Sequence, residues 1–370
     1  MSRLVTVSFL VTSCFCQANL FAQWSFQTIH NEGDAGWRMK MLANDAGFPL
    51  VGAQVAGGNM RVSIRPGMDW VNADLADAED IGLSPADDIA YIKVDDLNIS
   101  LESVFETGYG TIGTGLARDA KVLGFDSQAR PHVAYIDGFT NQLHHAKWNG
   151  IDWDNQVVAT SQSFSSGSSF FFGALDGNDQ AHFLFPDGTG VFDQPMSYAR
   201  PDGSSWTTTA ATTATGNPTS LQLDSENNPH FIYSSSNLEL YYAFHDGSDW
   251  NSEMVTGVSN LFPLKSTLEL VAGTPHVFVN DFSKRFNHIQ LTEDGDWENE
   301  PFAAWGGTVN GPEAVDAHFR NGLLHVAYST GEHEVIYGVL AVPEPSTIGL
   351  LLFSSFGLML LRRFKTRQLS

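Results

Sequence analysis

Lys121-Val-Leu-Gly-Phe-Asp126, followed by Pro131-His-Val-Ala-Tyr135, Leu143 and Gly150-Ile-Asp-Trp153, is a passage that the chain repeats with substitutions along most of its length. Residues 221–250 give Leu-Gln-Leu-Asp224, Pro229-His-Phe-Ile-Tyr233, Leu240-Tyr-Tyr-Ala243 and Gly247-Ser-Asp-Trp250. Ala181-His-Phe-Leu-Phe185 with Gly203-Ser-Ser-Trp206, and Pro275-His-Val-Phe-Val279 with Gly295-Asp-Trp297, are further copies, and Pro49-Leu-Val-Gly-Ala53 with Gly67-Met-Asp-Trp70 is a worn one. Anchored on Leu50, Asp88, His132, His182, His230, His276 and His325, the copies lie 38, 44, 50, 48, 46 and 49 residues apart. A period near 45 belongs to propeller blades.

Each copy reads as four short strands. An apolar first strand ends in a turn opened by Asp126, Asp176 or Asp224. The His-x-x-Tyr strand, a Leu-x-Tyr-Ala strand and a fourth strand opened by Trp follow. The second copy keeps Asp88-Ile-Ala-Tyr91 but has Tyr109 in the place of Trp. The seventh copy runs out of residues after its third strand, and Trp24-Ser-Phe-Gln-Thr-Ile29 has the alternation of a fourth strand. The pattern therefore predicts an all-β, seven-bladed β-propeller over residues 23–341, closed by its N-terminal strand so that no sheet edge stays open. A six-bladed ring is the alternative, with residues 71–118 as an insertion.

The chain ends in Val342-Pro343-Glu344-Pro345-Ser346-Thr347, an apolar run from Ile348 to Leu361, and the cations Arg362, Arg363, Lys365 and Arg367. Motif, apolar run and basic end, in this order, resemble the PEP-CTERM sorting signal of exported bacterial proteins. The resemblance covers residues 342–370. It implies a membrane helix over 348–361, an exosortase-type enzyme that processes the motif, and transfer to the cell surface. Fourteen helical residues at about 1.5 Å each fall short of the roughly 30 Å hydrocarbon core, as befits a weak, temporary anchor. Positive charge beyond the run places the preceding residues outside the inner membrane.

Residues 1–22 agree with that reading. Arg3, the apolar Leu4 to Val11 and the small Ala22 form a secretory signal peptide. Val11-Thr-Ser-Cys14 offers a rival, lipoprotein-type cut. Cys14 and Cys16 both fall in this leader, so cleavage after Ala22 would leave a domain without thiols. The whole chain carries 19 Lys and Arg against 42 Asp and Glu; without Arg3, the four tail cations and Glu344 these become 14 and 41, a net charge of −27. Such a surface repels nucleic acid and favours solubility outside the cell.

Few residues in this pattern point to chemistry. His132, His182, His230, His276 and His325 stand at equivalent places on different blades, too far apart to share a metal whose ligands must lie within roughly 2 Å. They read as structural residues bonded to the neighbouring blade. Trp24, Trp70, Trp153, Trp206, Trp250 and Trp297 read as side chains packed between blades. The Gly-x-x-Trp turns resemble the Asp-box of sialidase-like propellers but lack its Ser-x-Asp-x-Gly spacing, so that likeness implies architecture alone. Carboxylates at Asp74, Asp77, Glu79, Asp80, Asp87 and Asp88 are the hard oxygen ligands that Ca²⁺ takes, although no Asp-x-Asp-x-Asp-Gly loop is present. The core arginines, Arg38, Arg61, Arg65, Arg118, Arg130, Arg200, Arg285 and Arg320, are scattered over the blades. No Ser-His-Asp signature, nucleotide loop or zinc motif occurs.

The expected function is a non-catalytic, surface-displayed propeller that binds or scaffolds extracellular polysaccharide or an envelope protein. The alternative is a secreted polysaccharide hydrolase or lyase. Carboxylates converging with Arg or Tyr at a mouth of the channel would favour the enzyme, and an apolar or neutral channel the binder.

Overall fold

In the computed structural model the described residues are 24–30, 38–55, 59–95, 98–105, 108–114, 117–165, 170–189, 194–256, 261–281, 283, 285–304, 314–330 and 334–342. They form seven four-stranded antiparallel sheets. Blade 1 spans residues 39–75, blade 2 78–114, blade 3 117–160, blade 4 172–215, blade 5 217–254, blade 6 261–304, and blade 7 joins residues 315–341 to 25–30. The first strands, among them Met39–Ala43, Ala78–Leu83, Ala117–Phe125 and Val315–Arg320, contact their neighbours all the way round and enclose the axis. The six-bladed alternative fails because residues 78–114 are themselves a complete blade, each strand paired with the next.

The strand at Ser25–His30 pairs antiparallel with Val335–Ala341, Phe26 opposite Gly338. An added Cβ on Gly338 would meet Phe26 at 2.5 Å, so the closing strand sits directly on the glycine backbone. Trp24, just ahead of it, stacks on Phe302 (5.3 Å) and meets His288 edge-on (5.7 Å), both from blade 6. Closure thus joins the first and last described strands and also seals blade 7 against its neighbour.

The turns follow from their first residues. Asp126 Oδ1 accepts the backbone N–H groups of Gln128 (2.9 Å) and Arg130 (2.8 Å), and Asp224 does the same for Glu226 and Asn228. The residue before the second strand's approach is left-handed, φ 59° at Ala129 and 66° at Asn227. Such side-chain capping is why Asp opens the turn. In blade 2, Ser84 Oγ plays this part for Ala86 and Asp88. That turn corrects the register of the second copy: Asp88 aligns with Arg130, and Ala90, not Asp88, stands where His132 stands. With no His to find, the alignment drifted by two residues.

The signal peptide at 1–22, Pro343 to Thr347, the apolar run 348–361 and the cations after it lie outside the described residues. Among the described residues no helix is long and apolar enough to cross a membrane.

Candidate functional site

The five blade histidines are buried, between 0% and 9% exposed, and each bonds within its own blade, which corrects the expected bond to a neighbour. Nδ1 of His325 meets Tyr337 Oη at 2.7 Å, that of His230 meets Tyr242 Oη at 2.5 Å, and that of His182 meets Tyr198 Oη; His132 and His276 meet His145 (3.1 Å) and His288 (2.8 Å). The partner sits on the third strand, two residues from the cross-strand neighbour, where a side chain can reach back. The link to the next blade is made one step further on. Trp250 packs edge-on to Tyr198 (5.5 Å), Trp297 to Tyr242 (5.6 Å), Trp70 to Tyr337 (5.3 Å) and Trp206 to His145 (5.6 Å), each ring reaching the preceding blade. Trp153 likewise reaches blade 2, its Nε1–H donating to Tyr109 O at 3.2 Å.

In two blades the turn Asp completes the chain: His182 Nε2 lies 3.4 Å from Asp176 Oδ2 and His230 Nε2 3.4 Å from Asp224 Oδ2. With Nε2–H donating to the carboxylate, Nδ1 is left to accept from the tyrosine hydroxyl, and the ring is neutral. Burial holds these rings below the usual imidazole range, to about 4 for His132, His276 and His325. The same burial raises the phenol of Tyr337 to about 12. These groups hold the blades together by packing and hydrogen bonds. The third-strand Tyr was legible as part of the Leu-x-Tyr-Ala motif, whereas its bond to the second-strand His, 12 to 16 residues away, and the His that replaces it in blades 3 and 6 were not.

The axis encloses a channel of about 770 Å³ with an uneven lining. On blades 1 to 3 it is charged, and the charges are matched. Lys40 Nζ donates to Asp80 Oδ2 (2.7 Å) and to Val122 O (2.8 Å), linking three blades; Arg38 pairs with Glu79 (2.7 Å), and Lys121 donates to Phe171 O (2.6 Å) beneath the Phe172 ring. Blade 4 contributes Phe170 and Phe172, blade 5 Thr219 and Gln222, and blade 6 Thr267 and Glu269. A recurring contact laces the first strands together, in which a side chain of one blade accepts a backbone N–H from the next. Asp80 serves Val122 (2.9 Å), Ser220 serves Leu268 (3.1 Å) and Asp316 serves Met41 (2.8 Å). Burial raises the Asp316 carboxyl to about 6 and, with the Asp316 charge beside it, lifts Glu269 well above its ordinary value; burial lowers His318 to about 4. The channel therefore gathers Glu79, Asp80, Asp119, Glu269 and Asp316 with Arg38, which is the composition set out above for an enzyme, but its cations are already engaged with carboxylates and carbonyls of adjoining blades.

The candidate calcium ligands do not converge. Asp74 pairs with Arg61, Asp77 lies 3.6 Å from Lys93, and Asp88 accepts Ser103 Oγ and the Phe105 N–H. Among the described residues no three His, Cys, Asp or Glu are placed to hold a metal. The arginines are likewise spent singly, Arg130 on Asp126, Arg285 on Asp281 and Arg320 on Asp45.

A second cavity, of about 120 Å³, opens between blades 3 and 4. Trp206, His132 and His145 line it together with Lys147, Asp154, Gln156, Asp179 and Gln180. Trp206 is held in place by its Nε1–H, which donates to Gln156 Oε1 at 3.1 Å. At the roughly 30 Å³ that a water takes up in the liquid, the cavity corresponds to about four waters, so it can seat part of one small ring and not a chain. An aromatic wall with donors and acceptors around its rim suits a polyhydroxylated ring, which offers both C–H faces and hydroxyls.

No family model and no curated relative matches the sequence. Solved structures do match over most of the chain. A catalytically inactive variant of virginiamycin B lyase from Staphylococcus aureus with quinupristin superposes with a TM-score of 0.59 at 10% identity, covering 86% of this chain and 100% of that one. The BP39L lectin of Burkholderia pseudomallei gives 0.56 at 12% identity, over 87% and 97%. The SapL1 lectin in complex with alpha methyl fucoside gives 0.51 at 15% identity, over 86% and 99%. At these identities the likeness is one of fold.

Proposed function

We propose that this protein is an exported, non-catalytic β-propeller that binds carbohydrate of the cell exterior through the cavity between blades 3 and 4. Residues 1–22 act as its signal peptide and 342–370 as a PEP-CTERM-type signal that holds it at the inner membrane until an exosortase-type enzyme delivers it to the surface. The cavity carries the reading: it is a small recess of about 120 Å³, walled by Trp206 and rimmed by Lys147, Asp154 and Gln180. Two of the matching propellers are named as lectins, one of them in complex with a fucoside, which lends support. The matched charges of the channel point the same way, since Lys40, Arg38 and Lys121 are already engaged in joining blades.

The test is retention of the purified protein on the producer's own extracellular polysaccharide, with released product measured in the same samples. Retention without release is expected, and Asp154→Ala with Gln180→Ala, both on exposed side chains that leave the blade core intact, should weaken it at least about tenfold. Retention indifferent to these changes would move the site elsewhere.

The catalytic alternative rests on the channel. Asp316, raised to about 6, and His318 line the same channel, and perturbed groups gather at active sites. Product release abolished by Asp316→Asn would favour it over the binding reading.

For the sorting signal, replacing Pro343-Glu344-Pro345 by alanines should leave full-length protein in the inner membrane fraction. Normal surface delivery of that variant would remove the sorting assignment.

A further inference from the structure

The turns joining third to fourth strands all lie at one end of the disc, and their composition divides it. Blade 1 carries Met68 at this turn, blade 2 Phe105 and blade 3 Ile151, exposed by 85%, 67% and 88%. Blades 4 to 6 carry polar turns instead: Gly203-Ser204, then Asp246 to Asp249, then Thr292 to Asp296. In blade 7 the same position is held by the chain ends. Val342 follows the third strand there and its N–H donates to Gly322 O at 2.8 Å, while Trp24 opens the fourth strand beside it. Going round the ring, the chain's exit is followed by three consecutive apolar tips and then by three polar turns.

Isolated exposed apolar residues are ordinary on protein surfaces. Three at the same turn of successive blades form a row that begins at the blade next to the exit point. Only six steps along the chain take Val342 to Ile348, where the apolar run begins. At no more than about 3.6 Å per residue that is roughly 20 Å of reach. A bilayer holding residues 348–361 must then lie close under this end of the disc.

From this arrangement we infer that Met68, Phe105 and Ile151 seat the propeller on the lipid interface while it is tethered. The occupant is the surface of the membrane that holds the chain's own apolar run. The inference rests on the sorting-signal reading of the tail. Asp246, Asp249, Glu293, Asp294 and Asp296 sit on the opposite arc, so the disc tilts with blades 1 to 3 down and its most acidic turns lifted from the headgroups. Asp69 and Asp152 flank two of the tips, so seating is stronger on zwitterionic than on anionic lipid.

The test uses the full chain, with Cys14→Ser and Cys16→Ser, reconstituted into phosphatidylcholine vesicles that contain a lipid-borne nitroxide quencher. Met68→Cys, Phe105→Cys and Ile151→Cys each receive a bimane label, and Phe139→Cys, an exposed tip at the other end of blade 3, is the reference. At least about twofold more quenching is expected at the three tips than at 139, reduced when phosphatidylglycerol is added. Flotation with vesicles but equal quenching at all four sites overturns the seating and leaves the tether standing. Failure of the chain to float with vesicles removes the tether reading and the seating with it.

Discussion

Removing residues 24–30 is expected to unfold the whole propeller at temperatures where the intact chain is stable, and not merely to fray one blade. The deletion strips the partner from Val335–Ala341 and leaves that strand with an open edge. It also takes away Trp24, stacked on Phe302, and Phe26, which stacks on Phe302 at 5.9 Å and meets Tyr328 edge-on at 6.2 Å. These rings bridge blades 6 and 7, so their loss loosens the only place where the ring is closed by strand pairing and not by a covalent connection. Trp24 is half-buried and Phe26 is 39% exposed, so each ring contributes less than the ~3–5 kcal/mol of a fully buried one, but the deletion removes both together with the whole strand's pairing, against a net stability of about 5–15 kcal/mol. Differential scanning calorimetry should show a large fall in midpoint together with aggregation, and Trp24→Ala a smaller fall in the same direction. An unchanged midpoint for the deletion would show that β-strand closure does not hold the ring.

Acid should be the second great destabiliser. His132, His276, His318 and His325 are held at about 4, and His145 and His288 at about 3. Burial is the first cause in each. Unfolded, each ring titrates near 6.5, so between about 6.5 and 4 the unfolded chain binds more protons than the native one. The stability they contribute is complete above about 6.5 and is lost as pH falls through 4. Asp316, raised to about 6, has the opposite sign: its contribution is present at low pH and is lost as pH rises through 6. Glu269 acts in the same direction as Asp316. Six imidazoles outweigh two carboxyls, at about 1.4 kcal/mol per pH unit for each proton. The urea midpoint should therefore fall steeply between pH 6.5 and 4, and His276→Gln with His325→Gln should flatten the slope even while lowering stability at pH 7. A midpoint equal at pH 7 and 4.5 would mean that these rings are not buried neutral.

Architecture was legible because it is written seven times. Periodic Trp, the turn aspartates and a seventh copy lacking its last strand were enough to place Trp24 beside Val335 to Leu340. Where one copy lost its markers, as at Asp88, the register slipped. The site was far less legible. Lys147, Asp154, Gln180 and Trp206 come from two blades, and no spacing along the chain shows that they share one cavity.

The sequence alone determined the repeat unit and the manner of closure, because both depend on local pattern and on counting strands, while the pairing of residues 78–114 as a complete blade decided seven blades over six. Tertiary structure decided that the histidines bond inside their own blades, that the channel's cations are spent on lacing first strands together, and that the apolar tips form a row that begins at the blade next to the chain's exit. The first depends on which residues face each other across a hairpin 12 to 16 residues apart, and the others on which side chains meet across blades roughly 45 residues apart. Local propensity and periodicity have no reach over that distance, whereas a closed ring brings such residues within hydrogen-bonding range.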